Sequence, residues 1–277
     1  MYLPTQTAQT QIRITRIGTR LALLCSFFLV SVPTITQAQP SDPSVASAEN
    51  ALLPPEQVIR NLEERNAQRA AALGGFVATR IYRMQYRGLP SDRDAEMTVS
   101  VNYQAPNVKQ FSIISQKGSK FIIDHVFAKL LEGEREAANE ENRRRTALNT
   151  KNYDFSPAGY ENSPDGGRYV FDLVPKTKNK FLYHGRAWVD AKDFAVVRIA
   201  GEPGKNPSFW IKKTEIAHKY VKVNDFWLPA ENHTESVIRL GGRAILSIEY
   251  RDYQITRATP LPETESAREN SKAIPGF

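Results

Sequence analysis

The chain has 277 residues, and its 37 Lys or Arg against 30 Asp or Glu give a net charge of +7 at neutral pH. This basicity is mild and is spread along the chain, which argues against nucleic acid as a partner. The one cysteine, Cys25, lies in an N-terminal apolar run that we expect to be removed. A mature chain without cysteine excludes disulfides, thiolate metal sites and cysteine nucleophiles.

The N-terminus has the pattern of a secretory signal peptide. Three arginines and no acidic residue precede an apolar run at residues 21–32, and Thr36 and Ala38 are small residues that suit a cleavage site. The alternative is a membrane anchor, but the run is shorter than the roughly 20 residues that a hydrocarbon core requires. We therefore expect a signal peptide over residues 1–38, cleavage near Ala38 and export to the periplasm.

The segment after the predicted cleavage site begins with a leader and a helix. Residues 39–53 are polar and rich in Pro, Ser and Ala, which predicts a flexible leader. Pro54 and Pro55 then begin an amphipathic helix, because apolar residues follow at helical spacing up to Gly74. Alternation of polar and apolar residues next predicts three strands, at residues 75–87, 94–104 and 109–117.

A second helix is predicted at residues 122–131, where the apolar side chains share one face. Residues 132–149 are strongly charged and have no apolar stripe, so we expect a solvated helix extension or a mobile segment. Short connections between the later strands can join only antiparallel neighbours, which predicts one large sheet that curls to bury a face. These strands are predicted at residues 152–160, 168–175, 181–190, 194–201, 209–221, 226–240 and 243–255.

The sequence lacks the motifs of catalysis and cofactor binding. The four histidines, His125, His184, His218 and His233, have no spacing that presents two metal ligands from one turn or one strand face. GxSxG and SxxK motifs and Gly-rich phosphate loops are also absent. We therefore expect a protein that is not an enzyme and has no cofactor and no metal, with an exported hydrolase of scattered polar residues as the alternative.

The predicted sheet is rich in large apolar side chains. One interpretation is a solid core beneath the two helices. The other is a cavity suited to acyl chains, because two helices cannot cover so much apolar surface. In the second interpretation, the side chains that line the cavity are Phe111, Ile113, Tyr169, Phe171, Trp188, Phe194, Ile211, Trp227, Leu246 and Ile248.

Three stretches of the predicted meander carry a family resemblance. They read YVFDLVP at residues 169–175, WVDAKDFAVVRIAGEP at residues 188–203 and FWIKKTEIAHKYVKVNDFWLPAENHTES at residues 209–236. These stretches and the order of elements resemble the LolA/LolB-like proteins, the periplasmic lipoprotein-sorting family. The resemblance implies a mainly β (α+β) fold, in which a large curved antiparallel sheet forms an incomplete β-barrel covered by the N-terminal helix and a helical lid.

The same resemblance implies a single half-barrel domain over residues 54–260, followed by a polar tail over residues 261–277. It implies an envelope carrier or chaperone that holds lipid or lipoprotein acyl chains in a hydrophobic cavity, without cofactor or catalytic residues. We expect a monomer that exchanges its cargo with a membrane-bound donor or acceptor protein and associates transiently with membranes. The alternative is an envelope sensor or scaffold of the same fold that binds a protein partner, as anti-sigma-factor regulators do.

Overall fold

The structure, a computed structural model, describes residues 52–239 and 241–259. The predicted signal peptide, nearly all of the predicted leader and the predicted tail lie outside these residues. Three α-helices and one π-helical segment accompany ten β-strands in the described part of the chain. The helices are α1 (Pro55–Ala72), α2 (Ala128–Ala138) and α3 (Glu140–Thr146), and the π-helical segment, Ile122–Phe127, continues directly into α2.

The ten strands include every strand that the sequence predicts. They are β1 (Leu73–Arg87), β2 (Arg93–Gln104), β3 (Val108–Gly118), β4 (Tyr153–Ser163), β5 (Gly166–Pro175), β6 (Tyr183–Asp190), β7 (Val196–Pro203), β8 (Ile211–Val223), β9 (Phe226–Ile238) and β10 (Arg243–Arg257).

All ten strands form one antiparallel sheet, in the order β3-β2-β1-β10-β9-β8-β7-β6-β5-β4. Neighbouring strands are consecutive in the sequence except where β10 pairs with β1, which joins the N-terminal three strands to the long C-terminal meander. The edge strands β3 and β4 do not pair with each other in the described residues, so the barrel is not closed. The predicted fold class, an incomplete β-barrel of antiparallel strands with helical covers, is confirmed.

One row of paired residues crosses the whole sheet and defines its inner face, the face on which the helices pack. Residues that pair directly across antiparallel strands project their side chains to the same side of the sheet. Apart from Gln116 on the edge strand β3, the polar members of the row are Asn232 and His218, in the middle of the sheet on β9 and β8. From β3 to β4 it reads Gln116, Met97, Tyr82, Ile248, Asn232, His218, Ile199, Ala187, Phe171 and Pro157.

Two apolar clusters occupy the inner face, one under each helical cover. The first packs Phe127 and Leu131 of the lid segment, which we define as residues 122–138, against β1, β2 and β10. The second packs Val58 and Leu62 of α1 against β5, β6 and β7. Neither cluster contains a residue of β9, so the helical covers lie on either side of the centre of the sheet.

The charged segment predicted to be solvated is helical, and only part of it is solvated. Helix α3 has no buried residue, as its lack of an apolar stripe predicts. Glu134 of α2, in contrast, reaches the inner face and contacts Arg80 and Tyr82 of β1. The sequence could not indicate this contact, because a single inward carboxylate leaves no trace in the hydrophobic pattern of a charged helix.

Candidate functional site

The middle of the inner face forms a groove between the two apolar clusters. We call this region the central groove, and its floor consists of the inner sides of β8 and β9. Ile216 and His218 of β8 and Asn232 and Thr234 of β9 are all partly exposed, although they lie at the centre of a ten-stranded sheet. Partial exposure at this position means that the helical covers leave the groove open to solvent.

Hydrogen bonds between side chains order the polar floor of the central groove. The hydroxyl of Tyr183 lies 3.2 Å from Nε2 of His218, and Nδ2 of Asn232 lies 3.2 Å from the same ring nitrogen. Thr234 donates its hydroxyl hydrogen to Oδ1 of Asn232 over 2.9 Å. These four residues form one connected polar network across β6, β8 and β9, which fixes the positions of their side chains.

The central groove is uncharged near neutral pH. Burial lowers the pKa of His218 to about 4, so its imidazole is neutral. Burial also raises the pKa of Tyr183 to about 12 and raises the pKa values of Tyr220 and Tyr250. A neutral floor with hydrogen-bonding groups accepts apolar chains more readily than a charged one, because no ion has to lose its hydration when a chain covers it.

An open pocket of about 320 Å³ continues from the central groove beneath the C-terminal half of α1. Ile199 and Tyr220 belong to both the groove wall and the pocket. Most of the other lining side chains are apolar, and Asn66 and Arg69 of α1 provide the polar edge. Ligand pockets in proteins typically begin at about 300 Å³, so this pocket can take part of a larger ligand that also lies in the groove.

A buried ion cluster lies on the lid side of the groove and joins the lid segment to the sheet. Glu134 accepts hydrogen bonds from Arg80, from Lys109 over 3.0 Å and from the hydroxyl of Tyr82. The guanidinium of Arg80 stacks 4.8 Å from the ring centre of Tyr250, a groove-wall residue. Burial by itself would raise the pKa of Glu134, but the charges of Arg80 and Lys109 outweigh this effect and lower the pKa to about 2.

The structure distributes the ten predicted cavity residues among several places. Phe111, Leu246 and Ile248 belong to the first cluster or pack against it, under the lid segment. Tyr169, Phe171 and Phe194 belong to the second cluster or pack against it, under α1. Of these six residues, Leu246 and Ile248 pair directly with floor residues of the central groove, Thr234 and Asn232.

Trp188 and Trp227 do not join the inner clusters. Trp188 packs with Val170 and Val197 in a third cluster on the opposite side of the sheet, which we call the outer face, and Trp227 is partly buried against this cluster. Trp227 also lines the pocket beneath α1. The indole nitrogen of Trp188 donates to Glu161 over 2.9 Å, and the guanidinium of Arg198 stacks 4.4 Å from its ring centre. The small residues Ala187 and Val189, on either side of Trp188, face α1 instead.

The last two predicted residues lie outside all three clusters. Ile113 is 56% exposed on the edge strand β3, and Ile211 is partly buried at the start of β8. Sequence interpretation missed the polar groove residues His218 and Asn232 and the charged residues of the neighbouring ion cluster, Arg80, Lys109 and Glu134. The alternation of apolar with polar residues that reveals a strand also assigns its polar residues to solvent, so only the pairing of strands could have placed them inside.

No family model and no curated protein matches the sequence. Among solved structures, the chain is similar to a DUF1329 family protein from Desulfovibrio piger, with 12% identity, a TM-score of 0.38 and coverage of 78% of this chain and 97% of that one. It is also similar to a domain assigned as an outer membrane lipoprotein-sorting protein from Vibrio parahaemolyticus, with 13% identity, a TM-score of 0.36 and coverage of 79% and 99%. A third similar structure is a LolA superfamily protein from Nitrosomonas europaea, with 11% identity, a TM-score of 0.33 and coverage of 76% and 96%.

The second and third of these structures bear names from the family that the sequence resembles. All three TM-scores lie below 0.5, so our description of the fold depends on the strand order and pairing of this chain. Within residues 52–239 and 241–259, no helix combines the length and the apolar character needed to cross a membrane. The same residues contain no group of three or more His, Cys, Asp or Glu side chains arranged to hold a metal ion.

Proposed function

We propose that this protein is an exported carrier or chaperone that binds the acyl chains of a lipid or lipoprotein along the central groove. The observation that supports this most directly is the row of paired residues across the inner face. Its apolar members, such as Ile248 and Ile199, lie on either side of the partly exposed pair Asn232 and His218. A chain laid along the groove would contact apolar side chains on both sides and a neutral floor beneath it.

The energetics of this proposal come from apolar surface removed from water. Each Å² that an acyl chain and the groove walls bury contributes roughly 25 cal/mol. The pocket under α1 would extend the buried surface, because Ile199 and Tyr220 connect it to the groove. Release to an acceptor requires only that the chain leave a groove that is already open, so no covalent chemistry and no cofactor are needed.

The proposed location is the periplasm, and it depends on the signal-peptide pattern of residues 1–38, which lie outside the described residues. The first test is native mass spectrometry of the protein purified from its own envelope. We expect a bound lipid or lipoprotein, recognised by the mass that is lost on denaturation. Purification with a protein partner and without lipid would contradict the carrier function and support the alternative of an envelope sensor or scaffold.

A groove variant makes this test specific. Ile216→Glu places a carboxylate on the groove floor, where an acyl chain would have to desolvate it, so we expect at least a tenfold loss of affinity for a fluorescent fatty acid. Ile216 is only partly buried, so the melting temperature should change little. Val221→Glu is the matched control on the same strand, because Val221 is 42% exposed and lies outside the three apolar clusters. Equal affinity in the two variants would show that the groove does not bind the chain.

A further inference from the structure

The two ends of the sheet differ in charge. We call the end with the β1–β2 and β9–β10 turns the basic end. Its six connections, residues 88–92, 119–121, 147–152, 176–182, 204–210 and 239–242, contain seven Lys or Arg residues and one acidic residue, Asp92. The four connections at the opposite end, residues 105–107, 164–165, 191–195 and 224–225, contain one Lys and three Asp residues.

Large apolar side chains are exposed at the basic end as well. Leu89 and Phe209 are each 75% exposed, Trp210 is 56% exposed and Phe121 is 55% exposed. The connections at the opposite end contain no exposed large apolar side chain in the described residues. These four side chains lie on three separate connections, and such a concentration of exposed apolar surface indicates a partner that accepts aromatic rings.

Backbone and side-chain contacts bring these connections together. The hydroxyl of Tyr86 donates to the carbonyl of Leu89 and lies 3.3 Å from the carbonyl of Gly241. Arg239, two residues before Gly241, donates its backbone N–H to the carbonyl of Trp210 over 2.8 Å. The strands β2, β1, β10, β9 and β8 are consecutive neighbours, so their ends span about 20 Å at the usual strand spacing.

Several cations at the basic end have no carboxylate partner among the described residues. Lys178, Lys205 and Lys212 are exposed and form no ion pair there, whereas Lys176, Lys180 and Lys120 each pair with a carboxylate. Arg93 and Arg239 also lack a carboxylate partner there and instead stack on aromatic rings. Arg93 lies 5.0 Å from the ring centre of Phe121, and Arg239 lies 5.1 Å from that of Phe209.

We propose that the basic end is a docking surface for an anionic lipid bilayer. Trp and Phe side chains partition into the interface between headgroups and acyl chains, and unpaired Lys and Arg residues attract anionic headgroups. The opposite end, with its excess of aspartate, would point away from the membrane. This proposal does not depend on acyl-chain binding in the central groove, because the two surfaces share no residue.

The test is co-sedimentation of the full mature chain with vesicles of phosphatidylcholine alone or of phosphatidylcholine mixed with phosphatidylglycerol. We expect at least tenfold stronger partitioning onto the anionic vesicles. The double variant Phe209→Ser and Trp210→Ser should lose at least tenfold of this partitioning. The double variant Lys205→Gln and Lys212→Gln should partition onto anionic vesicles about fivefold more weakly for each lysine removed. Its partitioning onto neutral vesicles should be unchanged.

Two controls separate this result from a change in folding or in cargo binding. The double variant Val108→Ser and Ile114→Ser removes two apolar side chains from the edge strand β3, which are 42% and 61% exposed. This variant should partition onto vesicles as the wild-type protein does. Ile216→Glu, the groove variant, should also bind vesicles normally. If the β3 variant loses as much binding as the aromatic variant, the proposal is overturned.

Fluorescence reports directly on Trp210, the most exposed of the three tryptophans. Anionic vesicles should shift the emission to shorter wavelength in the wild-type protein. Trp210→Phe should keep vesicle binding but lose most of the shift, since Trp188 and Trp227 lie near the connections of the opposite end of the sheet. Binding with no shift, or association of the basic end with an envelope protein in place of vesicles, would contradict a membrane-docking surface.

Discussion

Glu134 is the residue that attaches the lid segment to the sheet by charge. Its carboxylate compensates the positive charges of Arg80 and Lys109 on the inner face. Within the described residues, Nε of Arg80 is a buried polar atom without a hydrogen-bond partner, so the guanidinium has few alternatives to Glu134. Removal of a buried ion's partner costs far more than removal of an exposed ion pair.

We therefore expect Glu134→Gln to lower the free energy of unfolding by about 3–5 kcal/mol, measured by urea denaturation. Glu136→Gln is the control on the same helix, because Glu136 pairs with Lys180 at the surface and should contribute less than about 1 kcal/mol. The folded-state pKa of Glu134, about 2, lies below the ordinary glutamate value of about 4.3. Its contribution is thus fully present above about pH 4.3 and is lost as the pH falls through about 2. Similar losses in the two variants would contradict the buried pairing.

His218 makes the stability of the fold depend on pH over a second, higher pH range. Its folded-state pKa of about 4 lies below the ordinary value of about 6.5, so between these values the unfolded chain binds a proton that the folded chain does not. Stability therefore falls as the pH drops from about 6.5 to about 4, by up to about 3 kcal/mol.

The variant His218→Gln should remove this dependence, whereas His184→Gln should keep it, because His184 is exposed on β6. Stability curves from pH 7 to pH 4 for both variants and the wild type provide the measurement. Most of the fall should occur above about pH 4.3, where the Glu134 contribution begins to decline. A wild-type curve that is flat over this range would mean that the imidazole stays hydrated in the folded state.

At the scale of elements, each helical cover packs on its own half of the sheet. Helix α1 begins at Pro55, a position where the missing N–H of proline breaks no helical hydrogen bond. It presents Val58 and Leu62, both fully buried, to the inner face of β5 to β7. Ala187 and Val189 of β6 belong to the same cluster as Val58 and Leu62.

Deletion of apolar contacts beneath α1 should therefore be costly. Leu62→Ala should lower the free energy of unfolding by about 2–5 kcal/mol, because it leaves a cavity in a filled cluster. Leu52→Ala, at a side chain that is 55% exposed, should change it by less than about 0.5 kcal/mol. Thermal unfolding of both variants measures the difference. Equal effects would mean that α1 is loosely attached to the sheet.

At the scale of the whole molecule, one sheet keeps three structural features apart. The inner face holds the central groove, the outer face buries Trp188 in a small cluster of its own, and the basic end presents exposed aromatic rings among cations that have no carboxylate partner in the described residues. The sheet remains open because β3 and β4 do not pair, which keeps the groove accessible. A carrier with a membrane-facing end could receive or release its cargo at the bilayer surface.

The sequence by itself determined the elements and their order. Short connections allowed only antiparallel neighbours, so the strands between Gly166 and Arg257 had to form a meander, and Pro55 and Gly74 marked where α1 begins and ends. These features depend on local backbone preferences and on alternation, and both can be recognised within a few residues of chain.

Only the tertiary structure decided which side chains meet. A register shift between Trp188 and Val189 places Val197 on the outer face and Ile199 on the inner face, so alternation could not assign these faces. Arg80 and Glu134 are 54 positions apart in the sequence and meet only because the lid segment folds back over β1. Contacts of this kind depend on bulges and on long-range packing, which no local pattern of residues records.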